Sequence, residues 1–270
     1  PEARAKAGRG ADRGSANIEL PVQADLDRLA PERSIARAED AMGVLKRGIE
    51  ESKSEARGRR SVSTRSTTGA RPRARRFAPA GQSTQMIVGA DDARDRDVLG
   101  TSSNLYGSYG LKRVYYSAFS PIPDASSRLP LVRPPLMREH RLYQADWLLR
   151  FYGFDVDEIT SAAPSGNLDL AIDPKLAWAL ANRQMFPVDV NRAQRSLLLR
   201  VPGLGPTAVK RILSARRYSA LRLEDLTRMS NGVKKAMPFI CTRDWQPGGL
   251  TDSENLRAKF APTPEQLSLF

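Results

Sequence analysis

The sequence predicts an α/β region, a partial parallel (βα) barrel with only later strands present, followed by an all-α unit. Three observations carry this. Short apolar runs alternate with amphipathic stretches over the first 150 or so residues. Only about three such strands are visible, whereas a closed parallel barrel has roughly six to eight. From about residue 186 onward the periodicity is helical throughout.

The elements follow in order. SANIEL (15–20), partly alternating and ended by Pro21, suits a strand. Ile35, Ala38, Met42, Leu45 and Ile49 recur at helical spacing, which predicts a helix over 31–51. STQMIVGAD (83–91) reads as a buried strand, with Asp91 and Asp92 placed to cap a helix over 93–108. LKRVYYSAFSPIP (111–123) reads as a further strand ended by two prolines. Strand and helix in alternation favour a parallel sheet. Residues 134–153 predict a helix with Leu136, Tyr143, Trp147 and Phe151 near one face and Gly153 at its end. Asp155 suits the cap of a short helix, and Asp173-Pro174 that of another over 174–183.

Charge is uneven. The 270 residues hold 43 Lys plus Arg against 30 Asp plus Glu, a net of +13, which points to a polyanionic partner. Residues 52–76 hold nine Lys/Arg and one acid with almost no apolar side chain, and predict a disordered basic insertion. That stretch reads either as a solvated loop or as a non-specific phosphate tether. Residues 183–243 hold thirteen Lys/Arg and three acids, while the rest of the chain is slightly acidic. With one Cys, Cys241, there is no internal disulfide, no Cys-rich zinc site and no cysteine-ligated cluster. With one His, a His-based triad is disfavoured. No apolar run reaches membrane-spanning length and the first residues lack a signal-type apolar core, so no membrane role is expected.

The most specific motif is VDVNRAQRSLLLRVPGLGPTAVKRILSARR (188–217). Asn191 is the expected cap of a helix running to Arg200. Pro202-Gly203-Leu204-Gly205 forms a tight turn, and Pro206 opens a second helix. Glycines there let backbone approach a phosphate, and the free N–H groups of the new helix favour an anion. Thr207, Lys210 and Arg211 lie within the next turn, with Arg200 before the hairpin. This resembles the helix–hairpin–helix DNA-binding motif of repair glycosylases, ligases and the competence DNA receptor. Val209 stands where a small residue is usual. A degraded second copy follows at 221–240, with Asn231-Gly232 as the turn and Lys234-Lys235 behind it. Paired motifs of this kind grip both strand backbones of duplex DNA without reading sequence. The plainer reading is a helical hairpin used for packing.

Further blocks carry a wider resemblance: SANIELP (15–21), FAPAGQSTQMIVGAD (77–91), YGLKRVYYSAFSPIPDAS (109–126), PPLMREHRLYQADWLLRFYGF (134–154) and FPVDVNRAQRSLLLRVPGLG (186–205). The chain resembles a family of DNA modification or repair radical-SAM proteins, commonly encoded beside a uracil-DNA-glycosylase-like protein. The resemblance implies S-adenosylmethionine and a 4Fe-4S cluster held by a CxxxCxxC loop for the full-length family. That loop is absent here, so the chain looks like the C-terminal part of such a protein and no cofactor is expected in it. Asn17, Glu19, Gln82, Thr84 and Gln85 are the candidate S-adenosylmethionine or substrate contacts; each also reads as a turn or strand-edge residue. His140 in the run Arg138–Arg141 faces either an active site or solvent.

The final QLSLF looks like the pentapeptide by which bacterial polymerases and repair proteins dock on the sliding clamp. Gln266, Leu267, Leu269 and Phe270 would carry it from a disordered tail. The expected organisation is barrel residues 1–51, the insertion 52–76, later barrel elements 77–160, a helical connector 161–185, the hairpin domain 186–245 and the tail 246–270. The expected role is duplex DNA binding by a fragment of a radical-SAM protein, without catalysis by this chain, in the cytoplasm at the nucleoid. The competing readings are a non-enzymatic adaptor or split-enzyme subunit docking on the clamp, and an RNA-binding protein.

Overall fold

The computed structural model describes residues 11–62, 76–122 and 126–261. The chain divides into two compact units, Pro1–Glu139 and His140–Phe270.

The first unit is built on a three-stranded parallel sheet in the order β1 (Gly14–Ser15), β2 (Gln82–Val88), β3 (Arg113–Ala118). The central strand β2 pairs with β3 from Ser83↔Arg113 to Val88↔Ala118. β1 is shorter than the strand expected over 15–20; after it the chain returns to β2 only through a single bridge, Glu19↔Met86. Helix α1 (Gln23–Leu29) and α2 (Ile35–Val62) follow β1, and α3 (Asp95–Tyr109) connects β2 to β3. Met42, Leu45 and Ile49 of α2 are buried, as their spacing requires, with Met86 and Val88 of β2 and Val98, Leu99 and Leu105 of α3. Among the described residues the sheet stays open with three strands, so no closed barrel is present.

Two expectations fail here. Residues 52–62 continue α2 rather than starting the disordered insertion. Lys, Glu, Ala and Arg are strong helix formers, and a preceding helix spares them the nucleation cost. Residues 63–75 lie outside the described residues. At α3, Asp91 and Asp92 do not cap: the Asp97 carboxylate accepts the Arg94 N–H at 2.9 Å.

The run Arg138–Arg141 is largely structural. The guanidinium of Arg138 holds the fully buried Asp95 at 2.7 Å and the Ala93 carbonyl. Glu139 accepts the Ala118 N–H at the end of β3. His140 is exposed.

The second unit is mainly helical. Helix α4 (Leu136–Trp147) runs into a π-turn at Leu148–Tyr152 and ends on left-handed Gly153. Its buried face is Leu142, Ala145 and Leu148. The expected core face is corrected: Leu136, Trp147 and Phe151 are about half exposed. Short α5 (Val156–Thr160) is capped by Asp155, and α6 (Pro174–Ala181) by Asp173, both as expected. Trp178 of α6 packs edge-on between Phe154 and Phe186, and Phe186 continues to Phe239 at 5.1 Å.

The region after 186 is not all-helical. β4 (Val188–Asp189) pairs in parallel with β5 (Ile240–Cys241). Between them lie α7 (Arg195–Arg200), α8 (Pro206–Ala215), α9 (Leu223–Met229) and α10 (Val233–Ala236). Asn191 does not cap α7, which starts four residues later. Its side chain instead acts as a strand partner for Leu221, accepting the Leu221 N–H at 2.7 Å and donating to the Leu221 carbonyl at 3.2 Å. The tail is also corrected up to residue 261. Thr251 and Leu256 are buried, and Arg183 donates to the Thr251 and Ser253 carbonyls. No described helix is long and apolar enough to cross a membrane.

Candidate nucleic-acid interface

Helices α7 and α8 are joined by a turn whose sequence dictates its shape. Leu198, Leu199, Val201 and Leu204 are buried, which draws the turn onto the core. Gly203 takes φ +84°, and a Cβ there would sit 2.1 Å from the Gly232 carbonyl oxygen. A Cβ on Gly232 would sit 2.2 Å from the Gly203 carbonyl oxygen. The two hairpin turns therefore meet backbone to backbone, and only glycine fits on either side. Ser230 clasps them: its hydroxyl donates to the Gly203 carbonyl at 3.0 Å and accepts the Gly232 N–H at 3.1 Å. The turn at Asn231-Gly232 is thus packed directly against the one at Gly203.

Gly205 plays a different part. It has φ −91° and ψ 169°, open to any residue, and its nearest neighbour would be the Tyr152 hydroxyl at 3.5 Å. It caps α8, whose Ala208, Val209 and Ile212 are buried, so Val209 serves as core where a smaller residue was expected. Thr207, Lys210 and Arg211 are exposed on the outer side of α8, and Lys234 is exposed on α10. Arg211 also donates to the Met229 carbonyl at 3.3 Å.

The other expected contacts face inward. Leu204 is buried. Arg200 forms a bidentate pair with Glu158 at 2.5 and 2.6 Å and stacks over Phe154. Lys235 pairs with Asp173. A guanidinium held this way is already neutralised and is geometrically committed.

Composition and motif matching missed Lys175. Its Nζ is buried, donates to the Leu204 carbonyl at 2.6 Å, and lies 4.6 Å over the Tyr152 ring. Burial drives its pKa down to about 7; Asp173 opposes this, while Lys235 and Arg200 push it further down. Tyr152 is raised, first by its own burial and then by Asp173. The available signal was a lone charge in the otherwise apolar helix PKLAWALA.

The candidates in the first unit have local partners. Gln82 is buried at the start of β2 and donates to the Met42 and Tyr109 carbonyls. Buried Thr84 accepts the Ile18 N–H at 3.1 Å. Gln85 is half-buried in mid-strand. Asn17 accepts from Ser15, and Glu19 lies 3.8 Å from Arg33. Parallel α/β sheets place ligands at strand C-terminal ends, whereas Gln82 begins β2 and Thr84 lies two residues on. Gln82, Thr84 and Gln85 therefore do not lie where such a sheet places a ligand, whereas Asn17 and Glu19 follow the end of β1. The residues do not fit a 4Fe-4S cluster, which needs several thiolates: Cys241 is the single one, half-buried on β5, its pKa raised by burial and by Asp189. Gln266, Leu267, Leu269 and Phe270 lie outside the described residues.

No protein-family model, curated protein or solved structure matches the chain.

Proposed function

We propose that this chain binds duplex DNA through its phosphate backbone, with the two hairpins of the second unit as the gripping surface. The observation that carries the reading is the mutual approach of Gly203 and Gly232. It joins two helix starts into one rigid platform, from which Thr207, Lys210, Arg211 and Lys234 project into solvent. The first-turn N–H groups of α8 lack intrahelical partners and suit a phosphate oxygen. The contacts are to charge and backbone, so the binding is indifferent to sequence and steeply salt-dependent. The chain belongs, on this reading, to DNA modification or repair as a binding element rather than as the radical catalyst, and its last five residues dock on the sliding clamp.

Titrating labelled duplexes of unrelated sequence at several salt concentrations tests the first part. Lys210→Gln and Lys234→Gln should each weaken all duplexes alike and flatten the log K against log salt slope by about one. Duplex binding that ignores both changes, or no binding at all, sinks the reading. For the clamp, removing residues 266–270 should end co-purification with it; unchanged co-purification rejects that partner.

A further inference from the structure

Beyond the hairpin turns, the outer side of α8 forms one wall of a shallow groove of about 570 Å³. Thr207, Lys210, Arg211, Ser214 and Ala215 of α8 line it, with Tyr218 from the turn after the helix and Met229 of α9. Tyr218 is 90% exposed, on a turn fixed by its N–H bond to the Ala215 carbonyl. None of the lining residues is acidic, and the groove begins at Thr207, in the first turn of the helix that the proposed backbone contact uses.

From this arrangement we infer that the groove takes an unpaired nucleotide run leaving the gripped duplex, with a base stacked on Tyr218 and its phosphates against Lys210 and Arg211. The inference rests on the duplex-binding reading and names the DNA structure that the chain prefers. Paired bases are buried in their own stack, so an outward-facing phenol ring offers them nothing. An unstacked base gains from any exposed π-face, whatever its identity. Within α8, Thr207 and Ala215 are eight residues apart, about 12 Å along the helix, and Tyr218 lies in the turn beyond it. That span is several times the roughly 3.4 Å occupied per nucleotide along one strand of B-DNA. The groove is therefore long enough for a short run rather than a single phosphate.

The test uses the full chain and two labelled probes, a blunt duplex and the same duplex carrying a three-thymine single-stranded gap. The native protein should bind the gapped probe about tenfold more tightly. Tyr218→Ala should erase that preference while leaving blunt-duplex affinity and thermal stability unchanged, because the ring is exposed. Tyr218→Phe should keep it. Equal binding of both probes by the native chain overturns the inference and leaves the duplex reading standing. So does parallel loss on both probes in Tyr218→Ala, which would make the ring part of the duplex contact. Binding to neither probe overturns both. A groove that serves a protein partner instead would leave both DNA affinities untouched by Tyr218→Ala.

Discussion

Gly203 and Gly205 stand two residues apart and answer to different physics. At Gly203 the left-handed φ and the facing Gly232 carbonyl leave no room for a methyl group. Gly203→Ala should cost at least about 3 kcal/mol and open the hairpin pair, seen as a lower melting temperature. Gly205→Ala meets neither obstacle, so stability should stay within about 1 kcal/mol while duplex affinity falls, because the added methyl group lies where a phosphate would approach the backbone. A Gly205→Ala protein that is stable and binds as before would remove this turn from the interface. Lys175 gives a second residue-level prediction. Its folded pKa of about 7 lies below the ordinary lysine value, so between these two the unfolded chain holds a proton that the folded chain does not. Stability therefore rises with pH through that window, and below it the fold carries the full cost of a buried ammonium. The rise from Lys175 should be on the order of 5 kcal/mol. Lys175→Met should lack this rise, so denaturation midpoints of the two proteins should converge or cross between pH 7 and 10. Parallel curves would show that the amine is solvated.

At the scale of elements, Arg200 shows how a basic residue near a turn proposed to bind DNA can be part of the core instead. It ties α7 to α5 through Glu158 and covers Phe154. Arg200→Ala leaves a carboxylate without its partner in a largely enclosed site. We expect about 3 kcal/mol of destabilisation, with duplex affinity of the folded protein unaltered; a loss of affinity without a loss of stability would reverse that assignment. The sequence allowed no such distinction, because Glu158 is 42 residues away. Much else at this scale was legible. The strands around Gln82–Val88 and Arg113–Ala118, the Asp155 and Asp173 caps, and the two hairpin turns all announce themselves through local pattern. What was illegible depended on distant partners or on a changed period. β4 and β5 have two residues each, too few for alternation to register. The π-turn after Trp147 breaks the helical period, and of the aromatic stripe at 143, 147 and 151 Tyr143 is half-buried while Trp147 and Phe151 are about half exposed. Asn191 looked like a cap because Asn favours caps, while its actual partner is Leu221. The continuation of α2 to Val62 follows the helix propensity of residues 52–62, which their high net charge masks.

For the whole molecule, a net charge of +13 overstates what is available to a polyanion. In the second unit Arg183 and Arg216 donate to backbone carbonyls, and Arg200, Arg228 and Lys235 pair with carboxylates. Arg195, Lys210, Arg211, Arg217, Lys234 and Arg243 are among those that remain exposed, and only those near the hairpins can reach one duplex together. The hairpin surface alone should therefore give a log K against log salt slope of about −3 to −4, on the rule of nearly one released counterion per phosphate neutralised. Arg65, Arg71, Arg73 and Arg75 form a second, separate reserve of charge in the sequence. If they act as a phosphate tether, the full chain should show a steeper slope than the hairpins explain. Replacing all four with Gln should then return the slope to about −3 to −4 while the further loss from Lys210→Gln stays the same size. If the slope does not move when those arginines are replaced, the segment is a solvated loop. All DNA affinity would then have to come from the few cations held in place by the meeting of Gly203 and Gly232.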